Sequence, residues 1–379
     1  MARRKRKTEE SPLRTVVVLG AGASAADGAP TQGALFFEYF KHAAEEPMHK
    51  GQHKWDSDLR NFFDQFFGLD ALQSDLSAFK YPTFEEVLGI LEIADSQRES
   101  FRDWGTSHLE DSRQKPRIQH VHELLILLIA EVLDRTLEGE RTHHRILLDG
   151  LERLGWLPRT TFISLNYDIL IDNALLDLHP AWDLDYHVTF ANVDMQPDFH
   201  NDRWHLPRAD KALLLLKLHG SLNWLYCPTC RTLDLTPKRK QVCQLKWHPD
   251  QCLCRKCKTL AVPIVIPPTY FKALSNFHLR QIWDRADKEL SHANRIIFCG
   301  YSFPDADVHV KYLLKRAEMN RTGVLPEVYV VNGCHPLKTC ESCRQEHDRY
   351  TRFLKGRRNL HWTGLSFEQF AEDPERIED

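Results

Sequence analysis

The chain has 379 residues, of which 42% are hydrophobic and 27% charged, with a formal net charge of −3. That supplies a sizeable core and room for two or three domains at ~150 residues each, and it excludes a disordered chain and the global positive field of a whole-surface nucleic-acid binder. The longest apolar run, Leu124 to Ala130, is seven residues, far short of the ~20 that cross a bilayer. The basic stretch Met1 to Lys7 leads into Thr8, Glu9 and Glu10, where a secretory signal needs an apolar stretch. No membrane partner and a cytoplasmic location are expected.

Residues 1–13 read as a flexible basic tail. Thr15 to Leu19 is a β-branched run ending at Gly20-Ala21-Gly22, the pattern of a strand buried on both faces of a parallel sheet. Helical spacing returns from about Gln32, with Leu35, Phe36, Tyr39 and Phe40 on one face. From 41 to 155 no strand-like run occurs. Phe62, Phe63, Phe66 and Phe67 recur at helical intervals, Thr83 precedes Glu86 as a capping box, and Val121 to Leu133 reads as a buried helix. This stretch is expected to be a helical insertion with its phenylalanines as core.

Strands are predicted again at 160–164, 212–218, 262–266, 295–299 and 327–331. Helices lie between them at 167–178, 277–290 and 308–318. Strands alternating with helices imply a parallel sheet covered on both faces. The fold class is therefore α/β: a doubly wound, Rossmann-like parallel sheet from 14–40 and 156–350, with the helical insertion and a small zinc-ribbon module at 222–262. Residues 351–379 read as a C-terminal tail.

In such a sheet ligands bind beyond the carboxyl ends of the strands. Those ends carry Gly20-Ala21-Gly22-Ala23-Ser24, Asn166-Tyr167-Asp168, His219-Gly220-Ser221, Gly300-Tyr301-Ser302 and Asn332-Gly333. Small residues let backbone approach a phosphate, although a lone G-x-G equally serves a tight turn. A histidine at a strand end, facing an Asn and an Asp at a neighbouring one, is a candidate for acid–base work.

The chain has ten cysteines. In a reducing compartment clustered thiols read as metal ligands rather than disulfides. Cys227-x-x-Cys230 and Cys254-x-x-Cys257, separated by 23 residues, form the two knuckles of a closed, structural Zn²⁺ site, with Cys252 or Cys243 as alternative ligands. Lys238, Arg239, Lys240 and Lys246 nearby read as a solvated basic loop, so direct nucleic-acid binding is not expected. Cys334, Cys340, Cys343 and His347 have spacing compatible with a second zinc. Cys299, alone in an apolar run, reads as core.

Taken in order, the Gly20–Ser24 turn, Asn166-x-Asp168, His219-Gly220, the zinc knuckles, Gly300-x-Ser302 and Asn332 resemble the sirtuin superfamily. The resemblance spans about residues 15 to 335. Two departures stand out. Gly28-Ala29-Pro30-Thr31-Gln32 lacks the acid and arginine of the protein-deacylating members, and Ile264 to Tyr270 replaces their peptide-clamping Phe-Gly-Glu strand. With the insertion and the Gly300–Asp307 run, the chain is similar to the divergent sirtuin-like branch of bacterial antiphage defence, whose members hydrolyse NAD⁺.

The resemblance implies NAD as substrate. Asn166, His219 and Asp168 would be catalytic, with Asn166 holding water and ribose, His219 acting as base and Asp168 binding the carboxamide. Gly20, Ala21, Gly22, Ser24, Gly300 and Ser302 would line the phosphates, and Asn332 would hold the adenosine ribose. It also implies a gated effector, hence a homo-oligomer and a separate activator such as a DNA-translocating ATPase. A protein deacylase and a non-catalytic NAD or ADP-ribose sensor are the alternatives.

Overall fold

A computed structural model describes residues 13–45, 53–69, 80–102, 104, 118–137, 142–178, 182–192, 207–236, 245, 249–265, 276–333, 340–355 and 357–378. The expected strands fall close to their predicted bounds: β1 (Thr15–Leu19), β2 (Thr160–Ser164), β4 (Ala212–Lys217), β8 (Arg295–Cys299) and β9 (Glu327–Val331). With β3 (Asp183–Asp185) and β10 (Leu360–Trp362) they make a seven-stranded sheet in the order β10-β9-β8-β1-β2-β4-β3. Every pairing in it is parallel. All residues of β1, β2 and β8 are buried, as strands covered on both faces must be.

Helices α1 (Ala21–Ala25), α6 (His143–Arg153), α7 (Leu170–Leu176), α8 (Phe277–His292), α9 (Val308–Asn320), α10 (Glu341–Phe353) and α11 (Phe367–Glu372) accompany this sheet. Residues such as Leu147, Leu151, Ile282, Leu313 and Phe370 bury themselves in its core. Helix α7 begins at Leu170, three residues later than expected, because Asn166–Asp168 are taken up by the sheet rim.

A second core lies in α2 (Leu35–Glu45), α3 (His53–Phe67), α4 (Phe84–Gln97) and α5 (Ile118–Thr136). Eleven of the nineteen residues of α5 are buried, so it is the central helix of this unit rather than an amphipathic cover. Thr83 and Glu86 form the expected capping box, worth ~1 kcal/mol. The phenylalanines pack on one another, with Phe36–Phe63 centroids 4.6 Å and Phe62–Trp104 centroids 5.4 Å apart. They are core.

Three expectations need correction. The strand near 262 forms as β7 (Val262–Val265) but leaves the parallel sheet. It pairs antiparallel with β5 (Gly220–Tyr226), which also pairs with β6 (Leu233–Leu235). A continuous apolar run does not encode strand direction, and β5 supplied a nearer edge. The segment from 351 onward is integral rather than a tail. β10 extends the sheet, Phe367, Phe370 and Ile377 are buried in the first core, and Arg295 pairs with Glu378 while lying over Trp156. Finally, α2 packs with the second core and α6 with the first, so the division between the units runs inside 14–40 and inside 41–155.

Candidate active site

The register of the sheet builds the site. Leu19 stands opposite Ser164 and Cys299, Ser164 opposite Lys217, and Cys299 opposite Val331. The residues one or two positions beyond these strand ends therefore fall along one rim: Gly20, Asn166, His219, Gly300 and Asn332. The strand order reverses across β1, which is where an open sheet leaves a crevice.

Two backbone approaches shape the rim. Gly22 donates its N–H to the Gly300 carbonyl at 2.8 Å, and a Cβ on Gly22 would stand 2.7 Å from the Gly300 Cα. No larger residue fits between these two loops. Gly220 has φ +82°, and a Cβ there would lie 1.8 Å from the Ile264 carbonyl oxygen. Glycine is thus what lets β5 pair with β7 directly after His219.

Asn166 spends its two amide hydrogens on the Gly20 carbonyl and the Ser24 hydroxyl, each at 2.8 Å. Ser24 Oγ in turn donates to Asp168 Oδ2 at 2.6 Å, and Asp168 Oδ1 accepts from the Leu170 amide at 3.0 Å. Asn166 therefore has only its carbonyl oxygen, an acceptor, to offer a ligand. Asp168 is 3% exposed and is pinned at both oxygens.

His219, also 3% exposed, donates from Nδ1 to the Leu165 carbonyl at 3.1 Å. A carbonyl can only accept, so the neutral ring carries its proton on Nδ1, and Nε2 is the basic nitrogen. Tyr167 and Trp283 flank the ring, each with its centroid 6.3 Å away. Trp283 is fixed by its own bond to the Leu218 carbonyl at 2.9 Å.

A cavity of about 650 Å³ opens along this rim, of the size that takes a small molecule. Ala21, Gly22, Ser24, Asn166, Asp168, His219, Gly300, Ser302 and Asn332 all line it. Gly20 stands behind the wall and contributes the carbonyl that orients Asn166. The second unit closes the cavity with Leu35, Thr83, Phe84, Glu85, Ile129 and Leu133, and the C-terminal segment adds Ser366, Phe367 and Glu368.

The cysteine knuckles sit on the three-stranded sheet. In both, the residue four places after the first cysteine adopts a left-handed backbone (Arg231, φ +56°; Lys258, φ +60°). Each donates its N–H back to that cysteine's carbonyl, at 2.8 and 2.9 Å. Cys227, Cys230, Cys254 and Cys257 bring their sulfurs within 4.8 Å of one another. Four thiolates bound at ~2.3 Å to one tetrahedral zinc stand ~3.8 Å apart, so the cluster fits that ion. Cys252 is not part of it. It is buried in the second core, and burial pushes its thiol up to about 11. Cys243 and Cys334 lie outside the described residues, as do Lys238, Arg239, Lys240, Lys246 and 266–270. Among the described residues these four cysteines are the one group with metal-binding geometry. Cys340 and Cys343 approach to 3.0 Å, while His347 packs on Trp362. Cys299 is fully buried in β8.

A family model described as the SIR2-like domain matches residues 160–354, just over half of the chain. The chain belongs to the SIR2-like family. Solved structures similar to it include a SIR2 homolog–NAD complex and a Sir2 bound to acetylated peptide. Each is 15% identical with a TM-score of 0.43; the matches cover 96% and 94% of this chain, and 88% and 90% of those chains. No curated protein sequence matches it.

Within this SIR2-like chain, several residues in the cavity wall or buried behind it have no local signal in the sequence. Lys217, at the end of β4, donates to Asp172 Oδ2 at 3.0 Å and to the Asp168 carbonyl, and Tyr186 donates to Asp172 Oδ1 at 2.6 Å. Tyr301 donates to Asp307 Oδ2 at 2.9 Å. Glu346, from α10, lines the cavity, and burial pushes its carboxyl up to about 7 against the opposing pull of Arg349. No helix among the described residues is long and apolar enough to cross a membrane.

Proposed function

We propose that the chain is an NAD⁺ hydrolase, breaking the bond between nicotinamide and ribose and forming a bond from that ribose carbon to water oxygen. The products are nicotinamide, ADP-ribose and a proton. Nicotinamide leaves as a neutral base from a cationic ring, so its departure needs no general acid. What the site must provide is stabilisation of a cationic ribose and a positioned water. The observation that carries the reading is the pairing of His219 and Asn166 on one cavity wall. The ring has Nε2 as its basic nitrogen, and the amide has only an acceptor oxygen left.

In this scheme the Asn166 oxygen accepts from the attacking water, and His219 Nε2 takes the water proton, directly or through a ribose hydroxyl. Asp168 receives the carboxamide of the nicotinamide. Backbone along Gly22–Ser24 and Gly300–Ser302 receives the pyrophosphate, and Asn332 the adenosine ribose. Zinc, bound by the four clustered cysteines, would be structural, since four thiolates leave no open position. A role as the NAD-depleting effector of antiphage defence, with assembly or an activator protein as its gate, is the biological setting that the resemblance supports.

The test is nicotinamide release from NAD⁺ by the purified chain, alone and in extract from phage-challenged cells. His219→Ala and Asn166→Ala are expected to lower release at least ~100-fold with the fold intact by circular dichroism. Wild-type rates in either variant would remove these roles. Turnover of an acetyl-lysine peptide that depends on NAD⁺ would make the chain a deacylase, and saturable binding without nicotinamide release in either setting would make it a sensor.

A further inference from the structure

Two helices of this chain tie their first turn by hydrogen bonds exchanged between the capping residue and the third helical residue. Thr83 and Glu86 do so in α4, and Ser366 and Gln369 in α11. In α10 the same two positions hold Cys340 and Cys343, and no side-chain capping bond forms. Sulfur is a weak acceptor, so hydrogen bonding secures this turn less well. Instead the two sulfurs touch, 3.0 Å apart. A disulfide bond of ~2.05 Å lies only ~1 Å closer. A shared zinc ion would hold the pair at ~3.8 Å, and His347, one turn beyond Cys343, packs its ring on Trp362 with centroids 5.5 Å apart. The contact is tighter than a metal sets and suits a dithiol that oxidises. Both cysteines are reduced and only partly buried, so a small oxidant reaches them.

Further along, α10 meets the cavity. Arg349 donates twice to the Ser302 carbonyl, at 3.0 and 2.9 Å, and Tyr350 donates its hydroxyl to the Tyr301 carbonyl at 2.7 Å. Gly300, Tyr301 and Ser302 line the cavity, as does Glu346 from α10 itself. One helix thus runs from the cysteine pair to the cavity wall. Because helix order is cooperative, fixing its first turn steadies its seat on the 300–302 loop.

We propose that Cys340 and Cys343 form a redox site that a hydroperoxide closes to a disulfide, clamping the first turn of α10 and tightening the cavity wall it carries. One sulfur, as thiolate, attacks a peroxide oxygen; the O–O bond breaks, leaving a sulfenic acid and one water. The second sulfur attacks the first, forming the S–S bond and releasing the second water. Two thiols lose two electrons and two protons, and hydrogen peroxide is reduced to two waters. Exchange with two molecules of an external thiol, which leave as their own disulfide, reopens the pair.

The experiment treats the full chain with hydrogen peroxide, maps its peptides by mass spectrometry and follows zinc content in parallel. The peptide holding Cys340 and Cys343 should lose two hydrogens and regain them with dithiothreitol, while the four-cysteine cluster keeps its metal. In Cys343→Ser the reaction should stop at a sulfenic acid on Cys340, trapped by dimedone. Amide hydrogen exchange at α10 and the 300–302 loop should slow on oxidation of the wild type and stay unmoved by the same treatment of Cys340→Ser. A second zinc per chain that shields the pair from peroxide makes it a metal site and overturns the proposal. So does a crosslink from either sulfur to another cysteine, or a disulfide that leaves exchange at 300–302 unchanged.

Discussion

At the scale of single residues, the Lys217–Asp172 pair sets the site's rigidity. Both side chains are 0% exposed, and between them they hold the Asp168 carbonyl, the Tyr186 hydroxyl and the end of β4 together. A buried pair is a weak net stabiliser, but breaking it leaves a buried charge alone. Lys217→Met is therefore expected to cost ~3–5 kcal/mol in urea unfolding, while adding Asp172→Leu restores a large part of it. A single-variant loss below ~1 kcal/mol, the value of an exposed pair, would mean that water reaches the pair. The sequence hides this residue. A lysine after four leucines looks like the point where a strand leaves the core, and nothing local tells that its ammonium turns inward to an aspartate 45 positions earlier.

Among the elements, the zinc module shows how local pattern and long-range pairing divide the information. Both Cys-x-x-Cys knuckles were readable because metal chemistry fixes their spacing. β5 has no such mark, although Leu222 and Trp224 alternate with Ser221 and Asn223, because it starts at Gly220, a residue in left-handed conformation that has the local signature of a turn. All four of those residues are buried. The placement of β7 beside β5 depends on Gly220 tolerating contact with Ile264, a fact visible only in three dimensions. Metal analysis of the purified chain is expected to find one zinc per chain, lost in Cys254→Ala and Cys257→Ala and retained in Cys252→Ala. Loss in the Cys252 variant would bring that residue into the ligand set.

For the molecule as a whole, the sheet and the rim were largely legible, since runs such as Thr15–Leu19 and Thr160–Ser164 are β-branched and each ends in chemistry-bearing residues. What was not legible came from elements remote in sequence: β10 pairing with β9, α11 covering α6, and Glu346 on a helix polar enough to pass for a solvated one. The same holds for the cavity, which neither unit encloses by itself. Leu35, Phe84, Ile129 and Leu133 belong to the helical core, while Asn166, His219 and Asn332 belong to the sheet. Saturating NAD⁺ should therefore slow amide hydrogen exchange in α4 and α5 as well as at the rim. Protection confined to the rim would mean that the helical wall leaves the ligand untouched.

A shared wall has a thermodynamic corollary. If the nucleotide steadies the seating of the helices on the sheet, then whatever unseats them weakens the nucleotide by the same factor, because the two equilibria form one closed cycle. On that condition, a substitution that loosens α4 from α5 would lower affinity without touching the ligand.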